Sequence, residues 1–170
     1  ERARKAGRLK LRIHSAVPLE TWPRLAEYVA REGRGDDWHS WGSLKGFTDG
    51  SLGARTALLN APYTDQADTV GIAQNDFAEL AEQIIGADAA GLQVAVHAIG
   101  DRALDWTIDT FLESERRNGP RDRRFRIEHA YVTSPDAVAR MAEHRIVASL
   151  QPYFTDDDTP WLMNRPGPVR

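Results

Sequence analysis

An α/β fold of parallel strands joined by helices is the class this sequence predicts, and three observations predict it. Apolar periodicity switches repeatedly between the two-residue rhythm of strands and the longer rhythm of helices, giving five strand-like and four helix-like segments in alternation. No GxGxxG or GxxxxGK[ST] follows any strand-like segment, which removes the main support for a nucleotide-binding open sheet. Polar residues capable of chemistry stand in or just past successive strands, at Lys45, His97, His129 and Gln151. Reactive groups at the C-terminal ends of several strands are the arrangement of a (β/α)8 barrel.

The elements follow in order. Residues 9–14 (LKLRIH) alternate apolar and polar and read as a strand, and 18–32 place Leu19, Trp22, Leu25, Ala26 and Val29 at helical spacing. Residues 43–48 (SLKGFT) read as a short strand, followed by a polar, Gly-containing loop through 63–71 and a helix over 75–90 that Gly91 ends. Residues 92–98 (LQVAVHA) form a buried strand, and 101–118 a helix stopped by Gly119-Pro120. Residues 125–130 (FRIEHA) are a strand, 134–144 a helix with Ser134 as N-cap and Pro135 at its first position, and 146–150 a last strand. Helical crossovers between neighbouring strands require those strands to be parallel.

Composition narrows the function. The 170 residues carry 22 Lys plus Arg, 25 Asp plus Glu and a formal charge of -3, with both signs interspersed, so the basic field of a general nucleic-acid binder is missing. No apolar run approaches the roughly 20 residues of a membrane-spanning helix. With no cysteine, thiol catalysis, disulfides and thiolate metal sites are excluded, so a metal must sit among nitrogens and oxygens. The charged N-terminal stretch has no signal-peptide core, and a cytoplasmic protein is the expectation.

His97 and His129 are the central pair. By alternation His97 shares a face with Ala95 while Val94 and Val96 share the other, so the valines face the helices and His97 the barrel interior. His129 shares a face with Ile127, with Arg126 and Glu128 opposite. Two imidazoles on consecutive parallel strands are expected to converge within a few Å, as a metal requires.

Three stretches extend this reading. They are KGFTDGSLGARTA from Lys45 to Ala57, HAIGDRA from His97 to Ala103, and RIEHA from Arg126 to Ala130. In this order and spacing they closely resemble the metal-dependent amidohydrolase superfamily, and most of all its branch of N-substituted formamide deformylases, over residues 9–151. The resemblance implies a distorted (β/α)8 TIM-type barrel in which this chain supplies strands three to seven. Lys45 then matches the strand-four lysine whose carbamate bridges two divalent ions, typically zinc. His97 and His129 match the strand-five and strand-six histidine ligands. The implied reaction is hydrolysis of a C–N bond in a small amide-type substrate by a metal-bound water whose pKa falls to about 7. Lys45, His97 and His129 form the expected catalytic and metal-binding set.

Other residues surround this set. Asp49, Ser51 and Arg55 lie on the loop after Lys45, placed either to contact substrate or to bond within the loop, with Asp49 in an Asx-turn. Asp101 opens a helix as an N-cap or a substrate contact, and Gln151 ends the fifth strand where it can line the pocket. His144 closes a helix, His14 and His39 have no partner motif, and Trp38 and Trp41 precede the Lys45 strand as candidate pocket walls.

A complete barrel needs about 200 residues or more and eight strands. Residues 1–170 are therefore expected to be one partial barrel domain of five parallel strands, with the first and last strands of the full barrel absent. Residues 1–8 read as a basic, helix-like lead-in, and 160–170, with three prolines, as a loop. The chain has no His-x-His, and Asp156 to Asp158 come too soon after the fifth strand to match the strand-eight aspartate. The competing expectation is a non-catalytic partial barrel that binds or oligomerises through its open strand edges, as a homo-oligomer.

Overall fold

The computed structural model describes residues 2–162 and 164–167. Five parallel strands form one sheet in sequence order. They are β1 (Ile13–Pro18), β2 (His39–Phe47), β3 (Gln93–Ala98), β4 (Arg126–His129) and β5 (Val147–Ser149). Helix α1 (Arg2–Lys5) precedes them, α2 (Trp22–Glu32), α3 (Phe77–Ala89), α4 (Asp101–Asn118) and α5 (Pro135–Glu143) connect them, and α6 (Pro152–Leu162) follows. A strand order that never reverses is that of a barrel wall, because a doubly wound sheet changes direction at a switch point.

The connecting helices cover one face. Leu44, Val94, Val96, Ala98 and Ile127 from the strands pack with Leu80, Ile84, Leu104, Ile108 and Phe111 from the helices, all nearly or fully buried. Phe111 and Phe125 stack with ring centroids 4.2 Å apart. Burying the larger of these side chains, Ala98 aside, stabilises the sheet–helix layer by roughly 1.5–3 kcal/mol each.

Register defines the opposite, inner face. Lys45 pairs with Ala95 and Ala95 with Arg126, while Phe47 pairs with His97 and His97 with Glu128. Directly paired residues of parallel strands share a face. Lys45, Phe47, Ala95, His97, Arg126 and Glu128 therefore form one surface, set between the apolar residues that point to the helices. This is the polar inside of an incomplete (β/α)8-type barrel.

Several element ends differ from the sequence expectation. The first strand runs over Ile13–Pro18 rather than 9–14, since pairing begins at Ile13 with His39 and Leu11 stays 72% exposed without a neighbouring strand. Alternation alone cannot register a strand that has no partner there. The second strand starts earlier, at His39, because Gly42 adopts φ 117° beside a register shift at Ser15/Ala16 and lets the pairing continue through an irregularity. Residues 160–162 belong to α6 and not to a loop, while 168–170 lie outside the described residues. Trp41 packs on Tyr28 of α2, at the helix-covered face and the N-terminal end of β2, away from the strand ends that carry the histidines. Among the described residues no helix is long and apolar enough to cross a membrane.

Candidate metal centre

His97 occupies the inner face near the end of β3, where alternation puts it. Its ring Nε2 lies 2.8 Å from the Gly50 carbonyl and 3.4 Å from Asp49 Oδ1. A carbonyl oxygen only accepts, so Nε2 carries the proton and the Nδ1 lone pair is free.

Asp49 builds the support for this contact. Only 1% exposed, its carboxylate accepts from the backbone N–H groups of Leu58 (2.8 Å), Ile99 (3.1 Å) and Gly100 (2.8 Å). These bonds tie the loop after β2 to the turn between β3 and α4. Gly100 is required there because the Leu58 backbone occupies the space a Cβ would need.

His129 reaches the same place by a different route. It pairs with Ala98, whose side chain is on the helix-covered face, so strand alternation alone would turn it outward. Its backbone instead adopts φ 78°, followed by Ala130 at φ 44°. The reversal is held by hydrogen bonds from Ala130 N to Ala98 O (3.1 Å), Val132 N to Ile99 O (2.9 Å) and Thr133 Oγ1 to Ala130 O (2.8 Å). Left-handed backbone at a non-glycine residue costs about 1–3 kcal/mol and persists only where surroundings fix it. The result is an edge-on pair of imidazoles with centroids 4.7 Å apart.

The His129 Nδ1 is 2.6 Å from Gln151 Oε1, and Gln151 Nε2 donates to Ser149 O at 3.0 Å. The His129 pKa is lowered, first by burial and then by the neighbouring His97 and Lys45, against the pull of Gln151 and Glu128. A neutral ring is the form that binds metal.

Lys45 lies on the same inner face, two residues before the end of β2. Its Nζ donates to the Gly46 carbonyl at 2.9 Å and stands 3.7 Å from the Phe47 ring centroid. Burial lowers its pKa to about 8, with Glu128 pulling it up. Glu128 is itself held by Arg126, whose Nη2 also donates to Ser149 Oγ at 2.6 Å.

The remaining expected residues have partners inside the protein. Arg55 forms a two-pronged pair with Asp65 at 3.1 and 2.8 Å, and Asp101 Oδ1 accepts from Asn60 N and Arg102 N at 2.9 and 3.0 Å. Thus the structure brings together Lys45, His97, His129 and Gln151, with Asp49 behind them, and occupies Arg55 and Asp101 in fastening loops. His144 ends α5 and pairs with Glu115 at 2.9 Å, while His14 bonds Ser40 and Ser43 at the other end of the sheet.

Two parts of the site had no signal in the sequence. The Gly50 carbonyl is backbone, and α6 reaches the site from further along the chain, whereas alternation already set Glu128 opposite Ile127 and register adds its neighbours. Phe154 of α6 lies nearly parallel to the His129 ring at 6.2 Å, and Tyr131 donates to Asp158 at 2.9 Å. A cavity of about 490 Å³ opens between these elements, with His129 and Gln151 at one side and Val132, Leu150 and Leu162 among its apolar walls.

The donor set fits a divalent ion only in a particular form. Among the described residues no three His, Asp or Glu side chains are grouped as a metal cage. Two imidazoles with free lone pairs are present, and Lys45 becomes an oxygen donor only when its amine is carboxylated.

The sequence profile described as "Amidohydrolase family" matches residues 1–170. The chain is 37% identical over 169 residues to Protein LONG AFTER FAR-RED 3 of Arabidopsis thaliana, covering 99% of this chain and 29% of that protein. It superposes with a TM-score of 0.85 on an uncharacterized metal-dependent hydrolase from Pyrococcus furiosus, at 38% identity, covering 99% of this chain and 34% of that one. A second such hydrolase, from Pyrococcus horikoshii OT3, gives a TM-score of 0.85 at 35% identity over 99% and 33% of the two chains. The chain thus spans about a third of the length of these relatives.

Proposed function

Because the chain belongs to the amidohydrolase family, we propose that it is part of a metal-dependent hydrolase cleaving a C–N bond of a small amide- or formamide-type substrate, with zinc as the metal. The observation that carries this reading is the pair of imidazoles 4.7 Å apart, each with its outer nitrogen hydrogen-bonded and the other free. Such bonds behind a ligand fix the ring and raise its basicity.

Lys45 is the third ligand in this proposal. A buried amine with a pKa of about 8 is partly neutral in mildly alkaline water. The neutral Nζ adds to the carbon of carbon dioxide, an N–C bond forms as one C=O π pair moves onto oxygen, the nitrogen passes a proton to water, and the product is an anionic carbamate. When bound, the metal lowers the pKa of a water and polarises the scissile carbonyl. His97 and His129 hold their lone pairs in place, and Glu128 supplies negative charge beside Lys45. The apolar cavity beside His129 supports an uncharged substituent on the substrate nitrogen, in keeping with the formamide deformylase branch. Further ligands and the general base come, in this reading, from barrel strands outside these residues.

The test is elemental analysis of desalted protein expressed from the complete reading frame, paired with its intact mass. Stoichiometric zinc, a mass increment of one carbon dioxide lost in Lys45→Ala, and formamide or amide hydrolysis are expected. Metal-free, unmodified protein without hydrolytic activity would overturn the proposal.

A further inference from the structure

The two imidazoles are presented asymmetrically, and the cause on the His129 side is a side chain rather than backbone. We infer that Gln151 is a positioning residue that fixes the tautomer and orientation of His129, leaving its Nε2 lone pair to face the inner surface. This rests on the metal-centre reading above for its purpose, but not for its geometry.

The argument is a chain of one-way hydrogen bonds. The Ser149 carbonyl can only accept, so the amide nitrogen of Gln151 must be the group 3.0 Å from it. That orientation turns Oε1 toward His129, 2.6 Å from Nδ1. An amide oxygen can only accept, so Nδ1 must carry the proton. A neutral imidazole has one proton for its two nitrogens, and Nε2 is left as the acceptor.

Ser149 is itself fixed in two ways. It is paired with Glu128 in the sheet, and its hydroxyl takes a hydrogen bond from Arg126 at 2.6 Å. The relay from β5 to Gln151 to His129 is therefore referenced to β4, the strand that carries the histidine. His129 needs such a reference more than His97 does. Its side chain reaches the inner face through a left-handed residue at the strand end, where the regular pleat no longer sets its direction. Each Gln151 functional group serves one of these bonds, and one N–H and one oxygen lone pair remain beside the cavity.

Nitrogen-15 NMR of the metal-free protein, labelled at histidine and held at a pH where the ring is neutral, tests this directly. The His129 signals, identified by their loss in His129→Ala, should show a protonated Nδ1 and an unprotonated Nε2. The opposite tautomer would overturn the inference without any substitution at Gln151. Gln151→Leu should give mixed tautomers and about 10–100-fold weaker zinc binding, the range for loss of a ligand's outer partner. Gln151→Glu keeps the acceptor toward Nδ1 but loses the donor to Ser149, and should preserve the Nδ1-protonated ring. A mixed or Nε2-protonated ring in Gln151→Glu overturns the inference, as does a higher KM in Gln151→Leu with tautomer and zinc affinity unchanged. Failure of the parent protein to bind zinc would remove the metal-centre reading, while the nitrogen spectrum still decides the tautomer.

Discussion

At the residue scale, Asp49 decides whether the first imidazole is held. Its three backbone hydrogen bonds close the loop over the β3 end and set the Gly50 carbonyl against His97. Asp49→Asn exchanges one acceptor oxygen for an amide donor facing N–H groups. A stability loss of about 3 kcal/mol is expected, from charge-assisted bonds lost in a buried place, measured as the urea midpoint at constant slope. An unchanged midpoint would show that the loop is held by its apolar contacts instead. The two histidines differ in how far the sequence reveals them. His97 follows from alternation along a strand whose neighbours are valines. His129 does not, since alternation puts it with Ile127 on the helix side and only the backbone turn at φ 78° brings it inward. The motif gave its identity, and pattern alone could not give its direction. Asp49 had an Asx-turn as one of its two expected roles, and its observed partners are instead nine, 50 and 51 residues away in sequence.

At the element scale, local capping was readable and long-range packing was not. Ser134 accepts from Ala137 N at 3.0 Å, with Pro135 at the first position of α5, as the sequence predicts. Ser134→Ala is expected to cost about 1 kcal/mol, seen as a lower melting temperature with an unchanged metal content. Helix α6 is the opposite case. Its last residues, from Pro160, read as a loop, yet the helix continues to Leu162 because Trp161 and Leu162 pack on the buried cluster of Leu52, Leu59, Tyr63, Ile99 and Val132. Tertiary contact here overrides propensity. The Tyr131 hydroxyl fastens α6 to the loop after β4 through Asp158. In Tyr131→Phe, amide exchange within α6 should quicken while that of β3 stays as it was, since one hydrogen bond contributes about 1 kcal/mol. Equal acceleration in both would mean that α6 does not open on its own.

At the scale of the whole molecule, the two ends of the sheet do different work. The C-terminal strand ends carry the imidazoles and the lysine, and the N-terminal end is closed by a knot around Asp88. Asp88, with its side chain fully buried, accepts from Ser114 (2.7 Å) and Asn118 (2.8 Å) of α4 and from Arg123 (3.0 Å), and also pairs with Arg121. It joins the end of α3 to α4 and to the segment entering β4. The sequence showed the helices and their stops but not this knot, because the acid and its partners are 26 to 35 residues apart. Burial pushes the Asp88 carboxyl up, and the bonds from Asn118, Arg121, Ser114 and Arg123 outweigh it, so the pKa in the fold is lowered. A depressed carboxylate pKa contributes stability at neutral pH, above the unfolded value of about 3.9, and that contribution is lost as pH falls through the folded value. Asp88→Asn leaves the guanidinium of Arg123, whose side chain is 4% exposed, without its anion, and should cost about 3–5 kcal/mol. It should also flatten the acid limb of the stability curve below about pH 4. Pairing it with Arg123→Met removes the stranded charge and should recover most of the loss, because an apolar replacement of a buried ion pair is often neutral. Urea unfolding of the three variants across pH measures all of this. A double variant no more stable than Asp88→Asn would show instead that the shape of the knot, with Ser114 and Asn118, matters more than its charge.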